Sequence, residues 1–310
     1  MSEHGPILVP LDGSELAERA VPVAAELARR AGAELRLLHV HDPIAAEPIH
    51  VKGLPVIDDH MRSLRHEHEQ AYLDRASQRL APGARVSVGL LDGPVAVAII
   101  RYAERTHASL IVISSHARGG FERAWLGSET DEMVRLSHVP LLVVRPEPGQ
   151  LSGSFRRILV PLDGSVAAES ILPHAVQIAR LEREAELILL EVVQPIAAAA
   201  WVPGAPLHAT VPAEDLIRPE VGAAQEYLDG VAGRLATSGM RVRARVESAA
   251  IVAPAILEIA REEHADLVAL ATHGRSGIAR LMLGSVADKL LRGSHTPMLL
   301  FRPPASARFM

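Results

Sequence analysis

Short apolar runs alternate along the chain with longer segments in which apolar residues recur every three or four positions. Five runs in the first half predict strands, namely Ile7–Leu11, Glu34–Val40, Arg85–Leu90, Leu110–Ser114 and Leu141–Arg145. Such runs are too short for a helix, and continuous apolar character suits a strand that is buried on both faces. The second half repeats the same order through Phe301.

Helical spacing fills the intervals between the strands. Leu16, Ala20, Val23, Leu27 and Ala31 predict the first helix, and further helices are expected over Asp59–Leu80, over Val95–Thr106 and after Gly127. Ser14 is a candidate N-cap, Pro22 should kink or delay the helix, and Gly32 should end it. By contrast, His41–Asp58 and Gln194–Pro219 show no regular pattern and are expected to be irregular loops, inert or acting as lids.

Strand–helix alternation predicts an α/β fold, because parallel strands need crossover connections that place helices on both faces of the sheet. In such sheets, ligands bind at the carboxyl ends of the strands, where the strand order reverses. The loops after the first, second and fourth strands of each half are therefore the candidate site.

An internal repeat organises the whole chain. The octapeptide Ile7–Ser14 recurs letter for letter as Ile158–Ser165, and Ser137-His138 recurs as Ser294-His295. The distance between partners grows only from 151 to 157 residues, so the halves differ by a few loop residues. The sequence predicts a domain over 1–146, a linker over 147–155 that is rich in Pro, Gly and Ser, and a second domain over 156–310.

Composition narrows the function classes. The chain has 310 residues, 48% of them hydrophobic and 22% charged, as is usual for globular proteins. A net charge of −5 and nine aromatic residues argue against binding to nucleic acid. There is no cysteine, no signal-peptide pattern and no apolar run of membrane-spanning length, so a soluble cytoplasmic protein is expected.

The loop after the fourth strand carries candidate chemistry. In the second half, Gly274-Arg275-Ser276-Gly277 precedes Gly284-Ser285 at the start of the next helix. Glycines let the backbone approach a ligand, and a helix start offers free N–H groups to a phosphate, to which Arg275 could add positive charge. Ordinary turn and capping chemistry also explains Gly-Ser before a helix, and the presence of this loop in both halves favours the phosphate interpretation.

With these motifs, the chain resembles a tandem universal stress protein with two family domains. The family signature is Gly, two residues, Gly, nine residues, then Gly followed by Ser or Thr. It maps onto Ala271, Gly274 and Gly284-Ser285, and in the first half onto Ser114, Ala117 and Gly127-Ser128. The resemblance implies two tandem open, parallel, five-stranded sheets of the adenine-nucleotide α-hydrolase type, with strand order 3-2-1-4-5.

The resemblance also implies an adenine nucleotide, ATP above all, with Mg²⁺ as a candidate companion. Asp12 and Asp163 would lie near the ribose or adenine, and the backbone of Val40 and Val192 would face the adenine edge. The glycine loop and the following helix start would hold the phosphates. The implied nucleotide-binding residues are Pro161, Asp163, Val192, Leu270, Ala271, Gly274, Arg275, Gly277, Gly284, Ser285, Val286 and Ala287 in the second half, and Pro10, Asp12, Val40, Ile113, Ser114, Ala117, Arg118, Gly120, Gly127, Ser128, Glu129 and Thr130 in the first.

Departures from the signature make the two halves unequal. Ser114 and Ala271 replace the first glycine, and Ala117 replaces the second glycine in the first half only. A Cβ at that position narrows the phosphate space, and Glu129 adds negative charge where Val286 adds none. The second domain is therefore expected to be the better site, and the first to bind weakly or not at all.

Other polar residues carry less weight. Asp12 and Asp163 could simply cap their Asp-Gly-Ser turns. His116 and His273 are expected to be structural rather than catalytic. His60, His66 and His68 lie on a polar helix, and because His66 and His68 are two residues apart they point away from each other, so a solvated face is favoured over a metal site. Arg241, Arg243 and Arg245 alternate with valine and alanine, as expected for the polar face of a strand.

These observations lead to one leading hypothesis and two alternatives. No P-loop, no dinucleotide-binding glycine motif and no nucleophile elbow occurs, and no convincing catalytic base is found. The chain is thus expected to be an ATP-binding regulatory protein with little or no hydrolysis, which switches a protein partner of unknown identity. The alternatives are a slow ATP-hydrolysing enzyme and an interaction module without nucleotide. The final strands Leu141–Arg145 and Met298–Arg302 are apolar edge strands, and the resemblance implies that such strands pair between domains, so the two halves are expected to form an internal pseudo-dimer. Further association of the chain into a homodimer is also expected.

Overall fold

The computed structural model of the protein describes residues 5–41, 49–51, 54–56, 59–81, 83–115, 127–145, 153–195, 213–272 and 283–303. The chain divides into two compact units, one comprising Met1–Ser154 with Leu300–Arg302 and the other Phe155–Leu299 with Pro303–Met310. Among the described residues, no helix combines the length and apolar character that crossing a bilayer requires.

The first unit is a parallel α/β sheet with helices. Its elements are β1 (Ile7–Pro10), α1 (Glu15–Glu18), α2 (Ala20–Ala31), β2 (Leu35–His41), β3 (Ile49–Val51), β4 (Leu54–Val56), α3 (Asp59–Leu80), β5 (Val86–Asp92), α4 (Val95–Arg105), β6 (Leu110–Ser114), α5 (Ser128–Leu136) and β7 (Leu141–Val144). The parallel strands lie in the order β5-β2-β1-β6-β7. When only these five strands are counted in chain order, this is 3-2-1-4-5, as the resemblance implies.

The second unit has the same topology. Its elements are β8 (Arg157–Pro161), α6 (Val166–Glu169), α7 (Leu172–Ala179), β9 (Glu186–Val193), α8 (Ala213–Ala236), β10 (Arg241–Ser248), α9 (Val252–Glu262), β11 (Leu267–Ala271), α10 (Ser285–Gly293) and β12 (Met298–Phe301). The strands lie in the order β10-β9-β8-β11-β12. In both units the order of the parallel strands reverses between the first and the fourth, which creates the crevice where such sheets bind ligands.

The central strands are buried on both faces, as their continuous apolar runs predict. Leu8 and Val9 in β1 are fully buried, and so are Leu159 and Val160 in β8. Their register is equivalent, since Pro10 pairs with Leu38 and Pro161 pairs with Leu190.

The first helix of each unit is broken near its proline. Ser14 caps α1 by accepting a hydrogen bond from the N–H of Ala17 at 3.1 Å, and α1 then ends one residue before α2 begins. Pro22 stands in the first turn of α2, where its missing N–H costs no helical hydrogen bond. Gly32 ends α2 in the left-handed conformation at φ 61°. The expected cap, break and stop are thus all present.

Two stretches expected to be irregular contain regular structure. Ile49–Val51 and Leu54–Val56 pair as an antiparallel hairpin inside the segment 41–58. In the segment 194–219, α8 already begins at Ala213 and continues through Pro219. The sequence shows no helical apolar stripe before Pro219, so this early start was not predicted.

Candidate functional site

A pocket of about 850 Å³ lies at the carboxyl edge of the second sheet. It is formed by the ends of β8, β9 and β11, the start of α10, and side chains of α8 and α9. A volume of this size falls within the usual range for a small-molecule site. It also lies at the strand-order reversal, where the fold is expected to bind its ligand.

Residues from four separate segments of the second half converge on this pocket. All nine of the sequence-predicted residues that the structure describes there line it: Pro161, Asp163, Val192, Leu270, Ala271, Gly284, Ser285, Val286 and Ala287. Gly274, Arg275, Gly277 and the neighbouring His273 lie outside the described residues.

Asp163 closes the tight turn that follows β8. Its Oδ1 accepts hydrogen bonds from the backbone N–H of Ser165 at 3.0 Å and from the Ser165 hydroxyl at 2.6 Å. The Ser165 Oγ in turn accepts from the N–H of Ala168 at 3.1 Å, which caps α6. Asp163 therefore has the turn-forming role that its sequence suggests, while it also lines the pocket.

The start of α10 presents backbone donors to the pocket. Gly284 is the N-cap and has no side chain to accept a hydrogen bond, and its own N–H donates to the carbonyl of Thr272 at 2.9 Å. The first helical bond runs from the N–H of Asp288 to the carbonyl of Gly284. The N–H groups of Ser285, Val286 and Ala287 precede that bond and so have no partner within the helix, which makes this end attractive to an anion.

Apolar side chains from α8 and α9 form the opposite wall, and sequence reasoning did not assign them to the site. Ala224 and Tyr227 come from α8, and Val252 and Ile256 come from α9. Long intervening segments separate these helices from the strands that they face, so their register cannot be read from local patterns. A partial signal exists, because Tyr227 repeats Tyr72 at nearly the spacing of the octapeptides.

Tyr227 remains a neutral phenol in this wall. Burial raises its pKa well above the ordinary value, and the negative charges of Glu169, Glu191 and Asp163 raise it further. Arg234 pairs with Glu169 at 2.7 Å. In the first unit Arg79 pairs with Glu18 as Arg234 pairs with Glu169, and the hydroxyl of Tyr72 donates to Glu18 at 3.2 Å. These matching contacts align α3 with α8.

The first unit places its predicted residues at corresponding positions. Pro10 ends β1, Val40 lies in β2, and Ile113 and Ser114 end β6. Asp12 accepts the N–H of Ser14 at 2.9 Å, as Asp163 does in its own turn. Gly127 caps α5, so that Ser128, Glu129 and Thr130 form its first turn, with Glu129 exposed. Ala117, Arg118, Gly120 and His116 lie outside the described residues.

The side chains at the carboxyl edge of the sheet differ between the two units. Aligning Tyr72 with Tyr227 makes Glu69 the counterpart of Ala224, and the strand register makes His41 the counterpart of Val193. Both Ala224 and Val193 line the second pocket. In the first unit Glu69 is instead 3.1 Å from the Nδ1 of His41, so a polar pair occupies the position of an apolar wall.

His66 does not lie on a fully solvated face, contrary to the expectation for the histidines of α3. Its side chain is 35% exposed, its Nε2 is 3.4 Å from Asp92, and its ring centroid is 4.7 Å from that of His41. His68 is exposed, as expected. These partners come from β2 and β5, so residue spacing within α3 does not reveal them.

The chain resembles known proteins over nearly its full length. It is 28% identical over 306 residues to a universal stress protein of Mycolicibacterium smegmatis, covering 97% of this chain and 98% of that protein. A universal stress protein of Mycobacterium tuberculosis is 26% identical over 302 residues, covering 96% of each chain. The crystal structure of a universal stress protein from Archaeoglobus fulgidus shares the fold, with a TM-score of 0.68, 20% identity and 97% coverage of each chain.

The model of the universal stress protein family matches this chain twice, at residues 4–145 and 154–302. The two matches together span both compact units, and each contains one copy of the octapeptide. The chain therefore belongs to the universal stress protein family and carries two family domains in tandem.

Proposed function

We propose that the second unit binds an adenine nucleotide, preferentially ATP, and that the chain acts as a nucleotide-dependent regulatory protein. The observation that supports this proposal most strongly is the convergence of nine sequence-predicted residues on one pocket. These residues come from four separate segments of the chain. A role in a turn or a helix cap would account for a residue singly, but it would not require all nine residues to line the same pocket.

The chemistry of the pocket suits the two ends of a nucleotide. Val192, Val252 and Ile256 offer an apolar surface to a flat base, and the N–H groups at the start of α10 suit phosphate oxygens. Asp163, which lies in the turn after β8 and lines the pocket, can accept hydrogen bonds from ribose hydroxyls. Arg275 would add positive charge on the phosphate side.

We propose that the first unit does not bind the nucleotide. Glu69 stands where Ala224 leaves room in the second unit, so its longer side chain takes up space that the pocket of the second unit leaves open. Two further residues disfavour phosphate binding in the first unit: the Cβ of Ala117 narrows the phosphate space, and Glu129 adds negative charge there. This combination supports one nucleotide site per chain.

Binding without rapid turnover is the favoured mode. Asp163 is the candidate ligand for a Mg²⁺ ion that accompanies the phosphates, and Mg²⁺ would neutralise part of their charge. The carboxylates of Asp163, Glu191 and Glu220 line the described part of the pocket, without a histidine or lysine among its described lining residues. In this proposal the bound nucleotide orders the surrounding loops and changes the surface that the protein, as a homodimer, offers to a protein partner.

Calorimetric titration of the full chain with Mg-ATP tests the proposal. We expect one site per chain, and we expect Gly284→Val to abolish binding because its side chain would enter the phosphate region. Gly127→Val is the matched control, since Gly127 caps the equivalent helix with nearly the same backbone angles. It should leave the binding isotherm unchanged.

Four outcomes would contradict parts of this proposal. Two sites per chain would show that the first unit also binds. Unchanged binding by the Gly284→Val variant would show that the site is elsewhere. Steady phosphate release with turnover would favour the slow hydrolase, and no heat from protein free of trapped nucleotide would favour the interaction module.

A further inference from the structure

Three metal-ligating side chains converge in the first unit. His41 comes from the end of β2, and His66 and Glu69 come from one face of α3, where residues three apart are neighbours. Each side chain has one donor atom within 4.8 Å of the others' donor atoms. Two imidazoles and one carboxylate form a ligand set that is common for zinc and related divalent transition metals.

The spacing within this cluster is close to that of a coordination shell. The Nδ1 of His41 is 3.1 Å from both carboxylate oxygens of Glu69. Ligands about 2.0 Å from a tetrahedral zinc ion are about 3.3 Å apart, so this pair needs little movement to bind one ion. His41 is 5% exposed and Glu69 is 14% exposed, so both are largely shielded from water.

Neighbouring polar groups hold the cluster in place, as the hydrogen-bond partners of metal ligands commonly do. The Nδ1 of His39 is 2.7 Å from the carbonyl oxygen of Leu11. Because a carbonyl can only accept, this nitrogen carries the proton, and in neutral His39 the other nitrogen presents a lone pair. That Nε2 is 3.8 Å from Glu69, also an acceptor, so a cation between them would satisfy both. Asp92, 3.4 Å from the Nε2 of His66, can hold that ring in place.

The second unit lacks this set at the same positions. Glu191, Val193 and Ala224 replace His39, His41 and Glu69, and Val221 replaces His66. The two units thus share one fold but carry different chemistry at the same edge of the sheet: a pocket in the second, and a cluster of histidines and carboxylates in the first.

We propose that the first unit binds one divalent transition-metal ion, with Zn²⁺ as the best match. His41, His66 and Glu69 are the protein ligands, and water or His39 completes the coordination. This site is separate from the proposed nucleotide pocket in residues and in chemistry, so either can exist without the other.

The test uses the full chain without an affinity tag, stripped of metal and titrated with Zn²⁺ alone against a chromophoric chelator. We expect one tight site per chain. His66→Ala and Glu69→Gln should each weaken Zn²⁺ binding by at least about 10-fold, since loss of a residue that merely orients a ligand already costs about 10- to 100-fold. His68→Ala is the matched control, because His68 is exposed on the same helix, and it should leave the affinity within about twofold, the scatter that a surface substitution usually produces.

A second readout uses Co²⁺ alone, whose visible absorption reports its coordination. Wild-type protein and His68→Ala should give the same spectrum, and His66→Ala should lose it. Circular dichroism melts show whether each variant is folded. If His66→Ala has unfolded, Glu69→Gln replaces it in the Co²⁺ comparison, since this change preserves side-chain volume.

The proposal is overturned if no stoichiometric Zn²⁺ site is found, or if His66→Ala and His68→Ala change the affinity equally. Gly284→Val should leave Zn²⁺ binding unchanged. A chain that binds Zn²⁺ but no nucleotide would therefore refute the proposed function and leave this inference standing, and the reverse result would refute only the metal site.

Discussion

His174 is a partly buried histidine near the start of α7, and its pKa lies below the ordinary value. It lies one residue after Pro173 in α7, where the first unit has the fully buried Val23 after Pro22. Burial lowers the pKa of His174 from 6.5 to about 4. A histidine therefore occupies a position that the fold uses for an apolar side chain.

This residue should make the second unit sensitive to acid. As the pH falls below 6.5, the unfolded chain takes up the proton before the folded chain does, and stability is lost until the pH reaches about 4. At pH 5 this linkage amounts to about 2 kcal/mol. We expect His174→Val to be close to wild type at pH 7 and more stable by about that amount at pH 5, measured by denaturant unfolding.

His68→Val serves as the control for removing an exposed histidine, and its stability should follow the wild-type curve from pH 7 to pH 5. If wild type and His174→Val lost the same free energy of unfolding over this interval, the burial argument would be wrong.

At the residue scale, short-range chemistry could be predicted well from the sequence. Ser14 and Ser165 cap their helices, and Asp12 and Asp163 close the preceding turns, because each contact spans two or three residues. The roles of Glu69 and His41 could not be predicted, since their contact joins residues 28 apart in the chain. The i, i+3 spacing of His66 and Glu69 was the available signal.

At the scale of elements, α3 and α8 account for most of the difference between the units. They occupy equivalent places, as the corresponding ion pairs Arg79–Glu18 and Arg234–Glu169 indicate. Yet α3 directs Glu69 toward His41, whereas α8 places the small, 5% exposed Ala224 in the pocket wall.

Introducing a glutamate in α8 at the position that corresponds to Glu69 gives a prediction. Ala224→Glu should lower the affinity for Mg-ATP at least about tenfold, because the carboxylate would fill the pocket and add negative charge beside Asp163 and Glu191. Ala224→Gln separates the two effects, since it adds the bulk without the charge. Calorimetry on both variants measures them.

Ala236→Glu is the control, because it makes the same change at an exposed position near the end of α8. It should bind as wild type does. A normal affinity for Ala224→Glu in a folded protein would remove Ala224 from the site. Melting curves are needed, since burying an unpaired carboxylate also destabilises the fold.

Predictability also differed between elements. The parallel strands and the helices flanking them followed from apolar periodicity, because burial imposes that pattern directly. The hairpin β3–β4 and the early start of α8 at Ala213 did not, because neither has an alternation or stripe that local sequence reveals. The pocket residues supplied by α8 and α9 depend on how these helices pack against the sheet, which the local sequence pattern does not determine.

For the whole molecule, the repeat means that two strands are chemically interchangeable. β1 and the last four residues of β8 have the same residues, and Ile7 and Ile158 each pair with a leucine on both sides, Leu35 and Leu110 or Leu187 and Leu267. Within this register, Leu8 opposite Arg36 is one of the few pairings that differs, since Leu159 faces Ile188. Pairing chemistry alone therefore discriminates weakly between the right and wrong strand.

We expect this ambiguity to appear when the fully denatured chain refolds. A fraction should become trapped with a strand in the wrong sheet, and because the error is intramolecular, this fraction should not depend on protein concentration. Recovery of native circular dichroism after dilution from denaturant, followed over a range of concentrations, measures it. Complete recovery in one phase would contradict the expectation, and losses that grow with concentration would indicate aggregation instead.

Synthesis on the ribosome removes the ambiguity by timing. The chain emerges from its amino end, so we expect β1 to pair with β2 and β6 before β8 has left the ribosome and can compete with it. When β8 appears, its counterpart is already buried. Because the octapeptide is duplicated, we expect the order of synthesis, rather than the pairing chemistry of the strands, to select the correct strand. The yield of correctly assembled protein should then depend on the rate of translation.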